Sequence, residues 1–200
     1  MPRPVIQIVR RFGLVGGMES YVWHLSHELI QLGYQVTIIC EQSESDHDPS
    51  IRVIVLPVSA QRRRWKAMKD FNRRLDHLFQ SHPELLDSII HSHERTAWHH
   101  VTTFHGPPMK KSPNLPWYKK ISRRLIYWLD VEYRELCSTQ VQKVVPVSQM
   151  IGRQLLEQYP ESRSRMTDPA YPALNESNPK SFRQFNNPMR LLFVGKEWKR

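Results

Sequence analysis

The chain is 200 residues long and 40% hydrophobic, with aromatics spread along it, which suits one folded domain and excludes an intrinsically disordered chain. Its longest apolar runs are a handful of residues, far short of the roughly 20 a spanning helix needs, and Cys40 and Cys137 form neither a CxxC pair nor a framework of bridges. A soluble protein of a reducing compartment is expected, and the formal net charge of +10 asks for an anionic partner: nucleic acid, a membrane surface or a phosphorylated substrate.

The opening MPRPVIQIVRRFG has too short an apolar part for a signal peptide. Within it VIQIV (5–9) predicts a buried strand, and the glycine-bearing loop RRFGLVGG follows. From Met18 the apolar positions Met18, Tyr21, Val22, Leu25, Leu29 and Leu32 recur with helical spacing, and Gly33 closes the stripe. QVTIIC (35–40) and IRVIVL (51–56) predict strands flanking the polar loop ESDHDPS. Residues 62–79 predict a helix with Trp65, Met68, Phe71, Leu75 and Leu78 on one face. SIIHSH and VTTFH then predict two more buried strand ends, and residues 116–136 a helix opened by proline. VVPVS (144–148) runs into a helix for which Ser148 is the expected N-cap. Repeated strand–helix units of this kind imply an α/β fold, a doubly wound, mainly parallel sheet covered on both faces.

Beyond residue 160 the character changes. Residues 160–188 hold five prolines and no sustained period, which reads as a linker, and RLLFVG (190–195) predicts one more buried strand. The expected organisation is a Rossmann-like domain over residues 1–160, a linker over 161–189 and the first strand of an absent second domain over 190–200.

The basicity is local. Residues 62–74 hold seven Lys or Arg against one acid, Asp70, and residues 110–124 hold six against none, so the remainder is slightly acidic.

Two motifs bear on chemistry. The turn RRFGLVGGMES joins the first strand to the first helix, where backbone N–H groups and a helix N-terminus can meet an anion at the carboxyl edge of a parallel sheet. It is not GxGxxG, which disfavours a nicotinamide site, and Gly16 and Gly17 could equally serve only a tight turn. The stretch HSHERTAWHHVTTFHGPP (91–108) holds five histidines. His91 and His93, two apart on an extended segment, could share a metal with His105, but Glu94 is the only acid nearby, so a zinc or iron site is disfavoured. His93–Glu94 and His105–Gly106 fall at the ends of consecutive strands, where open α/β sheets build their sites. His99 and His100 are expected to be solvated, and a satisfied core histidine is the plain alternative for His105.

Five segments in order, GGMESYVWHLSHELIQLGYQVTIIC, IIHSHE, TTFHG, VVPVSQMIGRQL and LLFVGKEWKR, make the chain resemble the N-terminal domain of retaining GT-B glycosyltransferases of family 4. The resemblance implies that Gly16 and Gly17 lie against a donor diphosphate and the acceptor. It implies that His105 stands beside the transferred sugar near its anomeric centre, and that Lys196 takes the place of an arginine clamping the leaving diphosphate. His93 and Glu94 complete the candidate donor and acceptor contacts. Where the family shows a PNGV-like turn, this chain has DPAYPAL (168–174), which leaves its hinge contacts without a counterpart. No cofactor or metal is implied. The implied partners are a nucleotide sugar and an envelope-glycan or lipid-linked acceptor, on the cytoplasmic side.

The basic, aromatic-bearing helices 62–79 and 116–136 suit an anionic membrane surface. Lacking the complete donor domain, the 200-residue chain is expected to be inactive by itself. A basic nucleic-acid-binding or membrane-surface module is the competing class, although no nucleic-acid-binding motif is present, and a histidine-cluster metal hydrolase is third.

Overall fold

The structure, a computed structural model, describes residues 2–44, 46–109 and 122–172. Six strands form one parallel sheet: β1 (Val5–Ile8), β3 (Val36–Cys40), β5 (Arg52–Val55), β6 (Ile89–Ser92), β7 (Val101–Phe104) and β8 (Lys143–Pro146). Their order across the sheet is β5-β3-β1-β6-β7-β8. The chain starts at the centre, winds to one edge, then crosses back and winds to the other. Such a sheet has a switch point between β1 and β6, and ligands of doubly wound folds bind at that carboxyl edge. Two short strands, β2 (Arg11–Phe12) and β4 (Gln42–Ser43), pair in parallel beyond the ends of β1 and β3.

Among the described residues four α-helices cover the sheet: α1 (Gly17–Gln31), α2 (Arg64–Ser81), α3 (Arg123–Cys137) and α4 (Gln149–Gln158). The period-2 alternation of the strands divides the core between the faces. Val9, Val36, Ile38 and Cys40 turn towards α1 with Val22 and Trp23, whereas Ile6, Ile8, Ile39 and Ile90 turn towards α2 with Met68, Phe71, Leu75 and Phe79. Leu136, Val144, Ile151 and Leu155 join α3 and α4 around Phe104.

The predicted boundaries hold to within a residue or two except for the helix predicted over 116–136, which begins only at Arg123, because Ser122 is extended (φ −68°, ψ 132°) and caps it there. Gly33 adopts φ 83°, the left-handed conformation expected after a helix, and Ser148 accepts from the Ile151 N–H at 3.3 Å as the N-cap of α4. Leu32 departs from its predicted stripe: it is the C-cap of α1 and 71% exposed, because the helix ends before it can turn inward. The described part of the proline-rich segment packs on the domain, with a 3-10 helix at Pro160–Arg165 and Met166 bridged to Val144 of the edge strand β8. The predicted last strand and Lys196 lie outside the described residues, as does the start of the predicted helix 116–136.

Candidate functional site

The polar groups of the central strands gather on one face at the carboxyl edge. Gln7 pairs with His91 in the β1–β6 register, and His91 with Val101 in the β6–β7 register. Alternation then puts Gln7, His91, His93, Thr103 and His105 on the α1 face, where Tyr21 packs against them. The Tyr21 ring stands 5.2 Å from that of His105, nearly edge-on, and 5.8 Å from that of His93. Glycines 16 and 17, one helical turn before Tyr21, therefore open on the same edge as His105.

Hydrogen bonds fix the protons of this seam. The Gln7 side-chain oxygen can only accept, so His93 Nε2 donates to it at 2.7 Å. Burial, assisted by the neighbouring His91 and His105, drives the His93 pKa well below its ordinary value, so His93 is neutral and its Nδ1 accepts. His105 Nε2 donates to that nitrogen at 3.0 Å. Burial lowers His105 to about 4, so it too is neutral, and its Nδ1 carries a lone pair. Gln7 is fully buried, and its Nε2 has no hydrogen-bond partner. His91 Nε2 stands 2.8 Å from the Thr103 hydroxyl, and burial lowers His91 to about 3. Both nitrogens of His93 are committed to Gln7 and His105 and His91 Nε2 to Thr103, so of the three histidines expected as a possible metal set His93 has no lone pair to give. Among the described residues no group of three or more His, Cys, Asp or Glu is placed to hold a metal ion.

The two glycines differ. Gly16 is the N-cap of α1 with extended backbone (φ −167°, ψ 174°), and a Cβ there would stand 2.4 Å from the Glu19 carboxylate folded back over the helix end. A Cβ at Gly17 would meet nothing within 4 Å, and the same holds at Gly106 after His105. Neither has a positive φ; the left-handed glycine of this loop is Gly13, at φ 155°. A tight turn thus explains Gly13, whereas Gly17 and Gly106 leave open room.

The family model of Glycosyltransferase Family 4 matches residues 15–167, which takes in Gly16, Gly17, Tyr21 and the histidine strands of this edge but not β1 with Gln7. The chain belongs to that family. A search of curated proteins finds no match. Among solved structures, WaaG, a glycosyltransferase involved in lipopolysaccharide biosynthesis, superposes with a TM-score of 0.71 at 11% identity, over 82% of this chain and 44% of that one. A glycosyltransferase from Rickettsia africae ESF-5 gives 0.45 at 17% identity, over 83% and 42%. The WaaG likeness shows the GT-B N-terminal fold, and the family 4 chain described here spans less than half the length of either relative.

Of the predicted site residues, Gly16, Gly17, His93, Glu94 and His105 come together on the carboxyl edge. Glu94 follows His93 and accepts from the Arg10 N–H at 3.3 Å; burial raises its carboxyl to about 7, against the pull of Arg10 and Arg64. His99 corrects its expectation. It is buried, with Nε2 donating to the Glu135 carbonyl at 2.9 Å and Nδ1 3.2 Å from the Thr96 hydroxyl, because the loop after β6 tucks under α3. His100 is half-buried and accepts from the Ile90 N–H at 3.1 Å. Gln7, Tyr21 and Thr103 were not anticipated as neighbours of His105. A lone glutamine inside VIQIV was the available signal, since a strand covered on both faces has no solvent to give it.

On the other side of the same loops, under α2 and α3, lies a cavity of about 860 Å³ lined by Arg63, Arg64, Trp65, Lys66, Arg95, Met109, Arg123, Arg124 and Trp128. Its floor is a buried ion pair, Arg95 with Glu132, and the Arg95 guanidinium stands 5.0 Å from the Phe104 ring centre.

Proposed function

We propose that this chain forms the acceptor-side domain of a retaining hexosyltransferase that moves a sugar from a nucleotide-sugar donor to an envelope-glycan or lipid-linked acceptor. The observation that carries this reading is the empty room at Gly17 and Gly106 on either side of His105, at the switch point of a family 4 domain. Glycine at those positions serves neither backbone conformation nor protein packing, so close approach by a ligand is its best explanation.

In this reading the donor diphosphate lies against the uncapped first turn of α1, whose backbone N–H groups favour the charge that accumulates as the nucleotide leaves. His105 stands beside the anomeric carbon. Being neutral, with Nε2 committed to His93, it offers its Nδ1 lone pair to a sugar hydroxyl. His93 and Glu94 border the acceptor, and Lys196 joins the diphosphate clamp with groups of a second domain. The WaaG likeness favours an envelope acceptor, and the cationic outer faces of α2 and α3 favour peripheral attachment to an anionic membrane on its cytoplasmic side. No described helix is long and apolar enough to cross a membrane. Nucleic-acid binding and metal hydrolysis lack a comparable observation.

The test is transfer from a panel of nucleotide sugars by the chain completed with a second GT-B domain, reading the anomeric configuration of the product. The completed protein is expected to transfer with retention, and the 200-residue chain to transfer nothing. His105→Ala is expected to lower kcat/KM by about 100-fold or more at unchanged melting temperature. Gly17→Ala is expected to abolish transfer while leaving stability unchanged or slightly raised, because alanine is the better helix former and meets no protein atom. Robust turnover by the 200-residue chain, or a fully active His105→Ala variant, would overturn the reading.

A further inference from the structure

We infer that the cavity between α2 and α3 is a subsite for a sugar bearing phosphate groups, so that the acceptor, on the transferase reading above, is a phosphorylated glycan. Among the described residues six cationic side chains and no acid line it, the nearest carboxylate being Glu132 behind Arg95, and the ion pairing is one-sided. Arg95 is matched by Glu132, whereas Arg63, Arg64, Lys66, Arg123 and Arg124 make no ion pair among the described residues.

The positions of these charges carry the inference. Arg63 is the N-cap of α2 and Arg64 its first residue; Arg123 and Arg124 open α3. Cations at a helix N-terminus oppose the macrodipole, and neither first turn holds an acid to relieve them. The N-terminus of α2 has no side-chain cap: Arg63 offers only its backbone carbonyl, to the Lys66 and Ala67 N–H groups at 2.9 and 3.0 Å. Five unmatched cations thus converge on two helix ends, of which α3 is capped by Ser122, accepting from the Leu125 N–H at 3.3 Å, while α2 has no such cap; in neither first turn does an acid offset the arginines. A bound dianion resolves all of these costs together. Arginine forks fit phosphate oxygens in pairs, which lysine cannot do.

The cavity's shape and its aromatics choose among phosphate-bearing ligands. A concave space of about 860 Å³ is that of a discrete ligand, not of a flat bilayer surface. Trp65 and Trp128 line it, and an indole is suited to the C–H face of a pyranose. The loops that carry Glu94–Arg95 and His105–Met109 separate it from the seam, so a glycan phosphorylated on one residue could reach His105 with the next.

The experiment titrates the 200-residue chain with glucose 1,6-bisphosphate, glucose 6-phosphate, glucose and inorganic phosphate, and in a parallel arm with phosphatidylcholine vesicles containing phosphatidylglycerol. The bisphosphate is expected to bind at least tenfold more tightly than inorganic phosphate, with glucose silent. The double variants Arg63→Gln/Arg64→Gln and Arg123→Gln/Arg124→Gln are each expected to weaken it at least tenfold without lowering the melting temperature, since both relieve the helix ends. Single substitutions serve if a double variant fails to fold. Trp65→Ala is expected to weaken the sugar phosphates and leave inorganic phosphate unchanged. Equal affinity for sugar phosphate and inorganic phosphate, indifference to the arginine variants, or binding to vesicles alone would each overturn the inference. Because no turnover is needed, the result is separable from the transferase reading: a completed enzyme that transfers no sugar would sink that reading with the binding intact.

Discussion

Two regions flank the same pair of loops at the carboxyl edge of the sheet, and they are built to opposite rules. On the α1 face Gln7, His91, His93, Thr103 and His105 are packed under Tyr21, neutral and hydrogen-bonded to one another. On the α2 and α3 face the cavity keeps its cations on exposed arms and half-buries only the one, Arg95, that is matched by a buried carboxylate, Glu132. A buried polar group must find its partner inside the protein and is cheapest uncharged, whereas charge meant for a ligand has to stay where the ligand can reach it. The first region can orient a reacting group; the second can attract and hold an anion. Loss of a buried partner should therefore act differently in the two: through stability where a charge is stranded, and through proton order where neutral groups can re-pair.

The largest effect is expected at the floor of the cavity. Glu132 is fully buried, pairs with Arg95, accepts from the Met109 N–H at 2.8 Å and 3.0 Å, and accepts from the Tyr159 hydroxyl at 2.9 Å. Glu132→Ala strands a guanidinium, a backbone N–H and a phenol together, and is expected to cost about 3–5 kcal/mol. The measurement is the urea midpoint at constant m value. A loss below about 1 kcal/mol would mean that water already reaches Arg95 and that the contrast between a dry floor and wet rims is wrong.

A smaller effect follows from pH. Burial lowers His91 to about 3, His99 and His105 to about 4, and His93 well below its ordinary value, so as pH falls below the ordinary value of about 6.5 the unfolded chain takes up protons that the fold refuses. That contribution is complete above pH 6.5 and is lost towards pH 4. Glu94 and Glu135 act in the opposite sense: burial raises them to about 7 and about 8, so stability falls as pH climbs from 4.5, where the unfolded carboxyls ionise, to 8. Four histidines outweigh two carboxyls on the acid side, and only the carboxyls titrate on the alkaline side. Stability is expected to peak near pH 6.5 and to be about 2 kcal/mol lower at pH 5. Glu135→Gln should flatten the alkaline limb and steepen the acid one, moving the maximum to higher pH. A curve that keeps rising to pH 8 would show that neither carboxyl is held protonated, and one flat between pH 5 and 6.5 that the seam is open to water.

Local periodicity made most of the fold legible, because a strand covered on both faces and a helix with one buried stripe leave different spacings. Caps were legible for the same reason, as at Ser148 and Gly33. Face and register are not local properties. Nothing in VIQIV says that Gln7 will lie beside His91, since that pairing joins strands 84 residues apart. His99 looked solvated beside His100, yet its burial depends on α3, which comes later in the chain. Both basic stretches were visible, but that Arg63 and Arg64 should face Arg123 and Arg124 across one cavity follows only from the crossover of the sheet. The candidate site was found from strand ends and glycines; its proton wiring required geometry.

The smallest expected change in stability carries the sharpest information about the seam. Gln7→Leu removes the acceptor for the His93 N–H, which costs about 1–3 kcal/mol when the donor is left buried, but it also removes the unpartnered Gln7 Nε2, a cost of the same order. The two nearly cancel, and a net loss within about 1 kcal/mol is expected. The proton order should not survive. In the native chain His105 is expected as the Nε2–H tautomer between pH 5.5 and 8, read from the imidazole nitrogen shifts in long-range proton–nitrogen spectra. In Gln7→Leu, His93 loses the group that fixes its proton on Nε2, so it is free to donate from Nδ1, and His105 should shift towards the Nδ1–H form. Gln7→Met tests the same point should the leucine variant fail to fold. A native His105 already protonated at Nδ1 would mean that the Gln7 amide is turned the other way and donates to His93, reversing every bond in the seam. An unchanged tautomer in Gln7→Leu would mean that His93 and His105 set their own order and that Gln7 only fills space beneath them.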